Sequence, residues 1–251
     1  MLSPFDLSGS SAIVTGASTG LGAAMTLALA DAGAEVLVVD RREQSETVTH
    51  LREHGKVAHT FQADLSDPAA PQKIVDAALK EFGKVDILVN NAGIIRRTPA
   101  LEFSAQDWDE VMAINARAVF FLAQAAGRDM VKRKRGKIIN VASLLAFQGG
   151  ITVPSYSASK GAVAQVTKAL ANEWASLGIN VNAIAPGYMV TNNTEQLRAN
   201  ETRTRQITER IPAGRWGQPE DLGGAVVFLA SRASDYVNGH VLLVDGGWMA
   251  R

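Results

Sequence analysis

The stretch Thr15-Gly16-Ala17-Ser18-Thr19-Gly20-Leu21-Gly22 decides how this chain folds. An apolar run at residues 12–14 leads into it, and residues 22–32, rich in alanine with helical periodicity, lead out. It therefore reads as the turn between a strand and a helix. Glycines at such a turn let the backbone approach a bound group, and the free N–H groups and dipole at the helix start favour an anion such as a pyrophosphate. Gly-rich turns are common, so the reading depends on what surrounds this one.

Working outward, strand-like runs at residues 35–39 and 57–62 alternate with helical runs at 43–54 and 68–82, a βαβαβ pattern. Further strands at 87–90, 137–141, 180–184 and 240–244, with long helices around 107–134 and 155–177, continue it. Val36-Leu37-Val38-Val39 and Ile87-Leu88-Val89 are unbroken apolar runs, as expected of parallel strands covered on both sides. The expectation is an α/β fold: one domain over residues 1–251, a Rossmann-type doubly wound parallel sheet with helices on both faces. Residues 191–210 depart from the pattern, being polar and charged before Ile211-Pro212, and read as an inserted helical lid over the substrate at about 188–211.

Composition narrows the function. Lys plus Arg and Asp plus Glu each total 25, so no net charge recommends nucleic acid or an acidic membrane surface, and the expected partner is a small molecule. Cysteine is absent, which excludes disulfides and thiolate metal sites, and His50, His54, His59 and His240 have no metal-ligand spacing; no metal is expected. Residues 1–10 lack the pattern of a secretory signal and no apolar run has membrane-spanning length, so a soluble, cytoplasmic protein is expected.

Asp40 ends the second strand, twenty positions after Gly20, where an acidic side chain accepts hydrogen bonds from ribose hydroxyls. A carboxylate there repels a ribose phosphate and favours NAD over NADP, whereas Arg41 and Arg42 just beyond offer a clamp for that phosphate. A rival lies in the same turn: Gly16-Ala17-Ser18-Thr19-Gly20 matches the G-x-S-x-G of a hydrolase nucleophile elbow. It fails because only one short strand precedes Ser18, leaving no earlier loop for an oxyanion donor, and only His240 lies beyond residue 59 to serve as base.

Tyr156 and Lys160, four apart on a helix, share a face. A phenol titrates near pH ~10, so a base near neutrality needs a depression of about three units, or roughly 4 kcal/mol, supplied by a nearby ammonium and an oxidised nicotinamide. Ser143 follows the strand at 137–141, at the carboxyl edge of the sheet where doubly wound folds bind ligands, and can hold a substrate oxygen. Asn90-Asn91-Ala92-Gly93 ends another strand at that edge, with Asn115 in the next helix.

Taken in order, T-G-x-x-x-G-x-G at residues 15–22, Asp64, Asn90-Asn91-Ala92-Gly93, Asn115, Ser143, Tyr156-x-x-x-Lys160 and Pro186-Gly187 resemble the short-chain dehydrogenase/reductase family over essentially the whole chain. The resemblance implies an NAD(P)-dependent enzyme acting on CH–OH groups. Tyr156 would be the acid/base, Ser143 would orient the carbonyl, Lys160 would bind the nicotinamide ribose and Asn115 would hold a water of the proton relay. Gly16, Ser18, Thr19, Gly20 and Leu21 would hold the pyrophosphate end. Asp40 would hold the ribose, Asp64 and Leu65 would flank adenine, Asn91 would line the groove, and the backbone from Pro186 to Thr191 would meet nicotinamide. Thr19 stands where members preferring NADP often carry a basic residue, which supports NAD. The family is usually homotetrameric.

A narrower resemblance, to the 2-dehydro-3-deoxy-D-gluconate 5-dehydrogenases of pectin and uronate breakdown, rests on five segments. These are Asn91-Ala92-Gly93-Ile94-Ile95-Arg96-Arg97, Phe147-Gln148-Gly149-Gly150-Ile151, Ala185-Pro186-Gly187-Tyr188-Met189, Thr191-Asn192-Asn193-Thr194 and Arg210-Ile211-Pro212-Ala213-Gly214-Arg215-Trp216-Gly217. It implies a sugar-acid substrate, with a carboxylate needing a cation and hydroxyls needing polar partners. Arg96 or Arg97 would meet the carboxylate, Ser143, Gln148 and Tyr188 would complete the substrate site, and Asn192 and Asn193 would offer further polar partners. Gluconate 5-dehydrogenase and 3-oxoacyl carrier-protein reductase are the competing activities, and a nucleotide sensor without catalysis would leave Tyr156 and Lys160 unexplained. Lys132-Arg133-Lys134-Arg135 reads as a helix end complementing the dipole rather than a nucleic-acid patch. Trp248, apolar near residue 251, suggests burial against a neighbouring subunit.

Overall fold

A computed structural model describes residues 3–42 and 45–251. In chain order its elements are β1 (Ser11–Thr15), α1 (Gly20–Asp31), β2 (Glu35–Asp40), α2 (Glu46–Glu53), β3 (Ala58–Gln62), α3 (Ala70–Phe82), β4 (Ile87–Asn90) and α4 (Ala105–Met112). There follow α5 (Ala118–Arg133), β5 (Gly136–Val141), α6 (Pro154–Trp174), β6 (Ile179–Pro186), α7 (Glu195–Arg198), α8 (Glu201–Arg210), α9 (Gly223–Ala230) and β7 (Val241–Val244). The strands form one seven-stranded sheet in the order β3-β2-β1-β4-β5-β6-β7. Every pairing is parallel.

Alternate strand residues point to opposite faces, and both faces are apolar because both are covered. Ala12, Val14, Val36, Val38, Ile87 and Val89 pack on one side with Met25 and Leu29 of α1 and Val226 and Leu229 of α9. Ile13, Leu37, Val39, Leu88 and Ile138 pack on the other with Ile74 of α3, Leu122 and Met130 of α5 and Leu170 of α6. This two-sided burial is why the strands read as unbroken apolar runs. The doubly wound α/β fold is as expected, and the order reverses at β1 and β4, which opens a crevice at their carboxyl ends.

The differences from expectation are local. The long helix at 107–134 is α4 and α5 joined by a π-helical turn at Ala113–Arg117, which carries Asn115. Lys132 and Arg133 do end α5, in its last turn. The helix at 43–54 begins at Glu46; Glu43 and Gln44 lie outside the described residues. No element was anticipated at α9, where Ala225-Val226-Val227-Phe228-Leu229-Ala230 is apolar all round and offers no period to read. Residues 191–210 are helical, with α8 pinned by buried Ile207. Trp248 is a correction: it is 4% exposed within its own chain, packed with Leu144, Ile207, Ile211 and Trp216, so no second subunit is needed to bury it. Among the described residues, no helix is long and apolar enough to cross a membrane, and no cluster of three metal-ligating side chains occurs.

At the opposite edge of the sheet, buried Asp86 accepts from the backbone N–H of Ser11 (3.1 Å) and pairs with Lys84 (2.9 Å) and Arg133 (2.8 Å). These contacts fasten β4 to β1 and to the end of α5. They belong to the scaffold rather than to the crevice.

Candidate active site

The crevice begins at the Gly-rich turn. Thr19 precedes α1 in an extended conformation, its side chain makes no cap, and the first turn of α1 contains no acidic residue. The first N–H groups of the helix are thus left without a protein anion, as a ligand pyrophosphate requires. Gly20 (φ +58°) turns its open face to the cleft; a Cβ there would meet only Thr191 Cγ2, at 3.9 Å. Gly16 (φ +62°) lies so close to the loop after β4 that a Cβ would sit 2.9 Å from Ala92 Cα. Asn91 braces the turn from that loop, its Nδ2 donating to Thr15 O (2.9 Å) and Gly16 O (3.0 Å).

The resulting cleft, about 380 Å³, is lined by thirteen of the anticipated residues: Gly16, Thr19, Gly20, Leu21, Asp40, Asp64, Leu65, Asn91, Ser143, Tyr156, Lys160, Pro186 and Thr191. Its shape and donors fit a dinucleotide, with uncapped helix N–H groups midway and a carboxylate at one end. Asp40 accepts from the backbone N–H of Ser18 (3.4 Å) and Arg42 (3.3 Å), with Arg41 and Arg42 also on the wall. Asp64 is held below the usual carboxylate range by hydrogen bonds from the backbone and side chain of Ser66. Ser18 differs from the other anticipated residues: its side chain is buried, lining a smaller adjoining hollow with Ser45 and α2, and its backbone N–H donates to Asp40.

At the other end, β5 and α6 bring the reacting side chains together. Ser143 follows β5 and accepts from Leu145 N–H (3.2 Å), starting a short 3-10 turn. Tyr156 and Lys160 project from the first turns of α6, which Pro154 opens. Lys160 Nζ donates to Val141 O (2.6 Å) and lies 5.6 Å from the Tyr156 ring centroid. Asn115, fully buried behind the cleft, exchanges hydrogen bonds with the Ile94 backbone (2.8 and 2.9 Å) and donates to Ser159 Oγ (3.2 Å). Ser159 in turn donates to Tyr156 O (2.8 Å). Sequence reasoning missed Ser159 and the Val141 carbonyl, because neither a common serine on a helix nor a backbone oxygen carries a pattern.

In the protein alone the electrostatics run against the depression that a base needs. Burial raises the phenol of Tyr156, and this outweighs the Ser143 hydroxyl and the positive charge of Arg97, which lower it. Burial also depresses Lys160 to about 8, with no carboxylate among the described residues to compensate its ammonium. The protein alone therefore keeps Tyr156 protonated, ready as an acid toward a carbonyl oxygen. A bound oxidised nicotinamide would add the positive charge that lowers the phenol.

The anticipated substrate residues separate. Arg96 is tied to Glu110 (2.7 Å) and Asp107 (3.4 Å), so its charge is already matched. Arg97 is exposed, donates to Asn193 O (3.2 Å), with no carboxylate partner among the described residues, and is near enough for its charge to act on the Tyr156 phenol. Gln148 and Tyr188 are not on the cleft wall. They gather around Trp248, whose indole N–H donates to Gln148 Oε1 (3.3 Å) and whose ring lies 4.6 Å from that of Tyr188. Asn192 and Asn193, anticipated as polar partners for the substrate, line the cleft, as does Met189 of the 186–191 segment; Ile94 and Thr194 line it too and were not singled out for that role.

A family described as Enoyl-(Acyl carrier protein) reductase matches residues 16–249. The chain is 56% identical, over the full length of both proteins, to a 2-dehydro-3-deoxy-D-gluconate 5-dehydrogenase of Dickeya dadantii. Among solved structures it is 56% identical to an Agrobacterium tumefaciens protein with bound NADP, provisionally named a 2-deoxy-D-gluconate 3-dehydrogenase, with TM-score 0.94 and all of both chains covered. A gluconate 5-dehydrogenase of Burkholderia cenocepacia, in complex with NADP and tartrate, is 40% identical with TM-score 0.94, covering 99% of this chain and 98% of that one. With its parallel sheet, its cleft and these full-length likenesses, the chain belongs to the short-chain dehydrogenase/reductase family, enzymes that act on CH–OH groups with a nicotinamide dinucleotide.

Proposed function

We propose that this enzyme interconverts 2-dehydro-3-deoxy-D-gluconate and 2,5-didehydro-3-deoxy-D-gluconate with NAD, as a cytoplasmic homotetramer serving pectin and uronate breakdown. The full-length likeness to the Dickeya enzyme supports this substrate, and the gluconate 5-dehydrogenase of Burkholderia makes a sugar acid the common theme. The observation that carries the reading is the division of labour between two adjacent arginines: Arg96 is neutralised, while Arg97 is left to meet a carboxylate beside Tyr156.

When bound, the nicotinamide dinucleotide supplies the centre that accepts or gives hydride. The residues present would hold it by the N–H groups at the start of α1, by Asp40 at the ribose hydroxyls and by Lys160 at the second ribose. Ser143 Oγ holds the reacting oxygen. Tyr156 Oη gives that oxygen a proton during reduction and takes it back during oxidation, and Lys160, depressed to about 8, is poised to feed the exchange from the protein side. Asn115 orients the loop at Ile94 and the first turns of α6 so that these groups converge. Residues 188–211 act as a lid that shuts the sugar acid away from water.

Binding of NADP is the second reading, favoured by the Agrobacterium and Burkholderia structures that hold it and by Arg41 and Arg42 beside Asp40. Initial rates with NAD and NADP against 2-dehydro-3-deoxygluconate, gluconate and an acetoacetyl thioester test both. The highest kcat/KM should be with NAD and 2-dehydro-3-deoxygluconate; preference for gluconate or the thioester would refute the substrate, and preference for NADP the cofactor.

A further inference from the structure

We propose that Trp248 is a positioning residue for the substrate end of the site: its indole holds the loop after Ser143 and couples that loop to helix α8. The inference rests on the sugar-acid reading above for its kinetic consequence, but its structural consequence stands apart from it. Nothing about a tryptophan in the final residues of the chain, taken as sequence, suggests such a task.

The tail is built to deliver this side chain. After β7 the Asp245 carboxylate accepts from the backbone N–H of Gly247 (2.8 Å) and Met249 (2.9 Å), closing a tight turn. Gly246 and Gly247 take φ of +64° and +90°, and Cβ atoms there would come within 2.8 Å of Ile211 and 3.0 Å of Pro212. The turn thus lies flat against the end of the lid and drives Trp248 between Leu144, Ile207, Ile211 and Trp216.

Once there, the indole joins three elements by three different contacts. Its N–H donates to Gln148 Oε1 at 3.3 Å. Its ring is inclined on Tyr188, after β6, with centroids 4.6 Å apart. Its face carries the guanidinium of Arg210, at the end of α8, at 3.9 Å. Gln148 is itself bonded through its backbone N–H to Leu144 O (3.1 Å), so it belongs to the same turn that Ser143 begins. A buried indole N–H needs an acceptor, and here the acceptor is a side chain on the loop that carries Ser143. A second indole repeats the attachment, Trp216 Nε1 donating to Thr208 of α8 at 3.1 Å.

Trp248→Phe keeps an aromatic ring and removes the N–H; Gln148→Leu removes the acceptor. Each should raise KM for 2-dehydro-3-deoxygluconate about fivefold to tenfold, with kcat within about twofold, and the double variant should be no worse than either single one, as for one shared contact. Amide hydrogen exchange in the NAD-free protein supplies a readout independent of substrate. In Trp248→Phe, exchange at residues 144–148 should quicken at least about fivefold while β5 is unchanged. Unchanged exchange at 144–148, or single-variant effects that multiply in the double variant, would overturn the proposal. Wild-type protein that turns over no sugar acid, with exchange at 144–148 still quickened in Trp248→Phe, would refute the substrate reading and leave this coupling standing.

Discussion

Replacing Lys160 with methionine should stabilise the protein while disabling it. The side chain is 4% exposed, its ammonium has no anionic partner among the described residues, and burial has brought it from 10.5 to about 8. A fall of that size corresponds to roughly 3 kcal/mol of penalty on the charged form at neutral pH. Methionine fills similar space without that penalty but leaves the Val141 carbonyl without its donor, which costs about 1–2 kcal/mol. The net gain is about 1–2 kcal/mol, or a rise in melting temperature of about 2–8 °C for a chain of this size. The pH dependence follows from the sign of the shift. Below pH 8 the lysine is charged in both folded and unfolded states and the full penalty applies. Between about 8 and 10.5 the folded lysine sheds its proton before the unfolded one, so wild-type stability rises and the gap to the variant closes. Calorimetry at pH 7 and pH 9.5, with kcat alongside, checks this; activity should fall at least about a hundredfold. A variant that melts lower at pH 7, or a gap that stays constant with pH, would refute the reasoning about a strained ammonium.

The scaffold, specificity and cofactor readings each lend themselves to a variant. Burial of Asp86 raises its carboxyl, but hydrogen bonds from Lys84, Ser11 N–H and Arg133 win and hold it below the usual range, so its stabilisation is present above about pH 4 and fades as pH falls through the lower folded value. Asp86→Asn should cost about 2–3 kcal/mol in urea unfolding at pH 7 and less at pH 3; equal losses would contradict the linkage. Arg97→Met should raise KM for the sugar acid at least about tenfold and leave a neutral ketone unaffected, whereas Arg96→Met should change KM less and lower stability; the reverse ranking in steady-state kinetics would transfer the carboxylate role to Arg96. Asp40→Ala should weaken NAD about tenfold in fluorescence titrations while improving NADP, because it removes ribose acceptors and a repelling charge; parallel losses for both would deny Asp40 that role.

How much of this was legible depended on whether a feature repeats. Ile13 and Val14 face opposite layers and both are buried, so parallel strands advertised themselves as unbroken apolar runs. That Ser143, Tyr156 and Lys160 share one cleft was readable because their chemistry is matched to spacing and to strand ends. Helix α9 was not, since an element apolar on every side has no period. Ser18 shares a turn with Gly16 and Gly20, but side-chain direction within a tight turn is set by backbone angles that residue types do not reveal. Arg96 and Arg97 were indistinguishable until Glu110 and Asp107 were seen to reach one of them. A lowered Tyr156 was anticipated from its lysine neighbour together with an oxidised nicotinamide; in the protein alone the low-dielectric surroundings, invisible in spacing, push it up.

The proton passing through the Tyr156 hydroxyl is the claim on which the proposed chemistry stands. The most direct measurement is kcat of Tyr156→Phe with NAD and 2-dehydro-3-deoxygluconate, with NAD affinity measured in parallel on the same protein. Loss of at least about a thousandfold in kcat, with NAD binding within about threefold, is predicted, because removing one oxygen deletes the acid/base and little else. A variant that retains a tenth or more of wild-type kcat would contradict the account.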